Sequence, residues 1–127
     1  MATTLYAYAL GTDLEQVAPR IEETLDALVA ERTWTVPDVW VVNQRVTPEE
    51  WDLGVNLTLP PTPQKKLAWL DDAVAIAQAL AKLRAELRRD FVLGVQQGKK
   101  DPVDVARVDQ GTLDEGVLRD ALTRAVR

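Results

Sequence analysis

The chain opens with Leu5 to Leu10, a short apolar run in which Tyr and Ala alternate, and Gly11 and Thr12 break it. That predicts a first strand with Tyr6 and Tyr8 on one face. Leu14, Val17, Ile21, Leu25, Leu28 and Val29 then recur at spacings of three and four. They form one stripe of a helix ending near Arg32, with Asp13 available as its cap. Pro19 would remove a hydrogen bond inside that helix and crowd the preceding turn. The regular helix is therefore expected to start late, near Ala18, or to kink there.

Val36 to Val46 contains Val39, Trp40, Val41 and Val42, apolar on both faces, and reads as a central strand with Pro37 tolerated at its beginning. Thr47, Pro48, Glu49 and Glu50 combine an N-cap, a first-position proline and a capping-box glutamate, which predicts a single helical turn. Leu53, Val55, Leu57 and Leu59 alternate with Gly54, Asn56, Thr58 and Pro60, giving a strand with one dry and one wetter face that Pro60, Pro61 and Pro63 end.

The second helical stripe is the longest: Leu67, Leu70, Val74, Ala77, Leu80, Ala81, Leu83 and Leu87, ending near Arg89. Its start is open between a Thr62–Pro63 cap and a cap at Asp71. Phe91 to Val95 reads as a strand, Gly98 to Pro102 as a turn, and Val103 and Val105 as a returning strand. Thr112 and Glu115 form a second capping box, opening a helix that would bury Val117, Leu118, Ala121, Leu122 and Ala125. Arg119, Arg124 and Arg127 toward its C-terminal end suit the helix dipole.

The order of elements predicts an α+β fold: a two-layer ferredoxin-like βαββαβ sandwich with an added C-terminal strand and helix. The 127 residues, free of repeats and long polar linkers, are expected to form a single domain, residues 1–127, with its core over about residues 4–97 and an extension over about 98–127.

Composition narrows the chemistry. With neither cysteine nor histidine, disulfides, thiolate metal sites, thiol nucleophiles and imidazole proton transfer all drop out. Only carboxylates and oxygen-ligated ions remain, so no cofactor, no catalytic residue and no metal site is expected. There is no nucleophile elbow, phosphate-cradling glycine loop or dinucleotide fingerprint. No basic residue precedes the apolar start, Asp13 and Glu15 arrive too early for a signal peptide, and no apolar run approaches the roughly 20 residues that span a bilayer. A cytoplasmic protein without membrane contact is expected.

Charge is uneven: ten acids stand against three bases in residues 1–60, and ten against twelve in residues 61–127, for a net charge of −5. This is no nucleic-acid footprint. The lysine pairs Lys65–Lys66 and Lys99–Lys100 fall in connections without aromatic interleaving and read as solvated turns. Asp71 and Asp72 are the nearest approach to a carboxylate pair, and capping of a helix N-terminus accounts for them.

The aromatic residues are more informative. If Tyr6, Tyr8 and Trp40 face away from the helices, they leave an aromatic patch for a partner or a second copy; otherwise the terminal helix covers them. Trp34, Trp51 and Trp69 fall near element ends as loop anchors, and Trp51, after two acids in the proposed exposed turn, is the best interface candidate among them. The expected function is therefore a non-catalytic, small acidic interaction module that binds a protein partner or forms a homodimer, of the inhibitor, immunity or assembly-factor type. Its binding residues would be Tyr6, Tyr8, Trp40 and Trp51, aided by an acidic helix surface from Glu15, Glu22, Glu23 and Asp26. The alternative is a small-ligand sensor or enzyme with a carboxylate-lined pocket built from Asn43, Gln44, Arg45, Asp71 and Asp72.

Overall fold

The computed structural model describes residues 2–47, 49–109 and 113–127. The elements run β1 (Thr3–Ala9), α1 (Ala18–Glu31), β2 (Asp38–Thr47), β3 (Glu50–Thr58), α2 (Trp69–Leu87), β4 (Phe91–Gln97), β5 (Val103–Val108) and α3 (Glu115–Ala125). All strands pair antiparallel in one sheet of order β2-β3-β1-β4-β5. This is an α+β architecture. The added C-terminal strand and helix are present as β5 and α3, but the five-stranded order and the placement of the three helices do not match the exact ferredoxin-like topology.

The period-two pattern decides what each sheet face carries. Leu5, Ala7 and Ala9 of β1, Leu53, Val55 and Leu57 of β3, and Phe91, Leu93 and Val95 of β4 all turn to one side. There they form a single buried cluster with Ile21 and Leu25 of α1, Ile76, Leu80 and Leu83 of α2, and Leu118 and Leu122 of α3. The three helices thus lie on the same face. The terminal helix packs beside α2 and over β5, leaving the other side of β1 uncovered.

Several local expectations change. Helix α1 starts at Ala18 with Pro19 in its first turn, where a missing N–H costs nothing. Asp13 does not cap it; the residue before the helix is Val17, and Asp13 pairs with Arg89 at 3.1 Å. Strand β2 lies at the edge of the sheet, not its centre. Its apolar run arises because Val39 and Val41 pack half-buried against the core while Trp40 and Val42 take the opposite side.

Thr47 pairs with Glu50 in a β2–β3 hairpin, so no helical turn forms at Glu49 and Glu50, and Pro48 lies outside the described residues. The Thr47 hydroxyl accepts the Glu50 amide at 3.1 Å. That is the bond a capping box would make, here serving a tight turn. Helix α2 begins at Trp69, between the two predicted starts, because the buried Trp69 indole donates to the Pro63 carbonyl at 2.8 Å and fixes the entry. The cap of α3 is Asp114, which accepts the Val117 amide at 3.1 Å. Thr112 lies outside the described residues. Val117 is exposed, whereas Leu118 and Leu122 are buried as expected.

Candidate functional site

The uncovered side of the sheet is built from the alternate positions of the same strands. Trp40, Asn56, Tyr6, Gly94 and Asp104 stand opposite one another in a row crossing all five strands. Val42, Gly54, Tyr8 and Val92 form the next row. Thr4, Thr58 and Gln96 lie toward one end and Asp52 toward the other.

Two phenols tie this surface together. Tyr6 donates to the Asp104 carboxylate at 2.6 Å, reaching from β1 across β4 to β5. Tyr8 leans the opposite way and donates to the Asn56 side-chain oxygen at 2.7 Å. Their ring centroids are 5.3 Å apart with the planes tilted by 31°, a separation within the range of favourable aromatic contacts. Gly94 provides the room, since a Cβ there would stand 2.1 Å from the Tyr6 hydroxyl and 2.2 Å from the ring carbon bearing it. Gly54 is equally constrained: a Cβ would lie 1.8 Å from the Ala7 carbonyl oxygen. Both glycines are there for close approach, not for an unusual backbone angle.

Burial raises the pKa of both phenols above the ordinary value near 10. For Tyr6, the hydrogen bond to Asp104 and its negative charge push in the same direction. For Tyr8, desolvation outweighs the opposing hydrogen bond to Asn56, and the Asp52 charge adds to the rise. Both rings stay neutral and both remain donors. The result is a pre-tied surface around a concavity of about 410 Å³ lined by Tyr6, Tyr8, Asp52, Asn56, Gln96 and Asp104 among others.

The aromatic candidates have different exposures. Trp40 is 39% exposed, Tyr8 is half-buried and Tyr6 is only 8% exposed. Tyr6 is thus the anchor of the surface, with Trp40 and Tyr8 its accessible rings. Trp51 does not sit in an exposed turn, because β3 begins earlier than the alternation suggested. Its ring is half-buried against the core, with the Arg45 guanidinium 4.6 Å above it and its indole donating to Asn43 at 2.6 Å, while the residue also borders the concavity beside Tyr8 and Asp52.

The five residues of the alternative ligand pocket do not converge. Asn43 and Arg45 sit beside Trp51, where Asn43 donates to Glu22 and Arg45 pairs with Glu15 at 3.0 Å. Gln44 lies across from Asp52 on the uncovered side. Asp71 is exposed and pairs with Arg119 of α3 at 2.7 Å. Asp72 is fully buried and structural: it accepts the Thr35 amide and hydroxyl at 2.9 and 2.7 Å and the Val36 amide at 3.1 Å, and Arg32 reaches it at 3.2 Å. Every lone pair it needs to satisfy has a donor. The acids of α1 and of the turn before it are engaged elsewhere, Glu15 by Arg45, Glu22 by Asn43 and Glu23 by Arg20.

Sequence reasoning missed Asp52, Asn56 and Asp104. The alternation in β3 placed Asn56 on a wetter face, but Asp104 is 98 residues from the tyrosine it binds. No local pattern marks such a pair. No protein-family model, curated protein or solved structure matches the chain.

Proposed function

We propose that the protein is a non-catalytic interaction module that binds a protein partner through the uncovered side of its sheet, in the manner of a cytoplasmic inhibitor, immunity protein or assembly factor. One observation carries this reading: a surface with an exposed tryptophan and a pre-tied tyrosine pair lies opposite the helices, outside the core. Tryptophan and tyrosine are the side chains that most often anchor interfaces. Rings already held by hydrogen bonds lose little conformational entropy on binding. The surrounding Thr4, Thr58, Asn56 and Gln96 supply the polar rim of a non-obligate interface rather than the apolar expanse of an obligate dimer.

Affinity capture with the intact chain tests this, using Trp40→Ala on the uncovered side and Glu23→Ala on α1 as paired variants. The reading predicts a partner held in fixed stoichiometry by the parent and by Glu23→Ala but lost by Trp40→Ala. A partner lost only by the α1 variant would overturn it.

A further inference from the structure

The ionic character of the uncovered side points to what it recognises. Nine ion pairs join described residues, and they engage Asp13, Glu15, Glu23, Asp71, Asp72, Glu86, Asp90 and Glu115. Asp52 and Asp104 are in none of them, although both are exposed and both line the concavity. Among the described residues, no lysine or arginine lines it. Asp104 accepts the Tyr6 proton through one carboxylate oxygen and makes no hydrogen bond through the other among the described residues. The cation nearest in register, Arg107 opposite Val92, is already held by Asp90 at 3.3 Å. Lys99 and Lys100 lie in the β4–β5 turn at the end of the strands, next to Asp101.

Resting on the partner-binding reading above, we propose that the partner presents arginine side chains to this concavity, which pair with Asp52 and Asp104 on either side of β1. Each guanidinium can take a carboxylate through two N–H donors and lay its plane on a tyrosine face. Tyr8 offers such a face beside Asp52, within reach of that carboxylate's field. A second copy of the chain is the poorer occupant. A two-fold interface draws its charges from one patch on both copies, and among the described residues in register on this side Asp38, Asp52 and Asp104 outnumber the one arginine, Arg107, which Asp90 already engages. Like charges across an interface oppose association.

The test is an amide chemical-shift titration of the isotope-labelled full chain with N-acetylarginine amide, with the N-acetylcitrulline amide isostere as the uncharged control. Saturable shifts at Tyr8, Asp52, Asn56 and Asp104 are expected with arginine and absent with citrulline. Asp52→Asn should weaken the response near Tyr8 by about three-fold, the scale of an exposed ion pair, while Asp104→Asn acts at the β4–β5 side. Equal responses to both amides, no saturable response, or indifference to both substitutions would overturn the inference. So would a dimer in light scattering that Trp40→Ala dissociates, since the occupant would then be a second copy. The two proposals fail separately. Loss of arginine binding leaves a Trp40-dependent partner intact, whereas a partner captured independently of Trp40 overturns the partner surface even if arginine binds.

Discussion

The two faces of the sheet use the same strands and opposite chemistry. Under the helices, Leu5, Leu53, Leu57, Phe91 and Leu93 are inaccessible, and the buried polar side chain Asp72 is fully partnered. On the other side, Tyr6 and Val92 are nearly as buried although no helix covers them. Neighbouring side chains shelter them, and the two tyrosine hydrogen bonds together reach from β3 across β1 and β4 to β5. The helical face derives its stability from area removed from water. The uncovered face relies on the Tyr6 ring held over Gly94 and carries Asp52 and Asp104, which enter no ion pair among the described residues.

The sharpest way to break the covered side is at Asp72. Asp72→Ala strands the Thr35 and Val36 amides and leaves Arg32 without its carboxylate, at a cost of about 3 kcal/mol. Urea unfolding monitored by far-UV circular dichroism should show a lower midpoint with an unchanged slope. Because stabilities of domains this size are only about 5 to 15 kcal/mol, that is a large fraction of the total.

Gly94→Ala strikes the uncovered side. The new methyl meets the Tyr6 ring and also the Val103 carbonyl at 2.5 Å, an overpacking that costs about 2 kcal/mol. In a Tyr6→Ala background the added cost of Gly94→Ala should shrink without vanishing, since the Val103 contact remains. Unfolding of the four proteins in a double-mutant cycle measures that coupling.

Some of this contrast is legible in the sequence and some is not. The stripe of α1 and its late start at Pro19 can be read locally, because periodicity and a missing N–H act within one turn. The alternation in β3 marks its dry face from Leu53 to Leu57. The Thr47–Glu50 segment misleads for a physical reason: one hydroxyl-to-amide bond serves a capping box and a hairpin turn alike, and only pairing with the facing strand separates them. Misplacing that turn also displaces Trp51. Asp72 reads as a helix-terminal acid, and it does lie in the first turn of α2, yet its partners at Thr35 and Val36 come from another connection. The Tyr6–Asp104 bond, which organises the uncovered side, requires β1, β4 and β5 to be assembled first.

A smaller effect separates the faces by pH. The folded state holds the Tyr6 phenol neutral beyond the pH at which an unfolded tyrosine ionises, near 10. Above that pH the unfolded chain binds fewer protons than the native one, so stability falls as pH rises and is fully present below it. The parent should therefore lose stability above about pH 10 more steeply than Tyr6→Phe. Denaturant midpoints across that range provide the comparison, and phenolate absorbance should show delayed ionisation of Tyr6 in the folded protein. Matching slopes would mean that the Tyr6–Asp104 arrangement does not hold in solution.

The central claim is that one face is sealed by the protein itself and the other is available to a partner. Hydroxyl-radical footprinting read by mass spectrometry tests it most directly, with Trp69, 1% exposed at the start of α2, as the internal reference for Trp40. The account predicts that Trp40 is labelled in the isolated chain while Trp69 is not, and that Trp40 and Tyr8 become protected when the captured partner is added. Trp40 as resistant as Trp69 in the isolated monomer, or labelling unchanged in the complex, would contradict it.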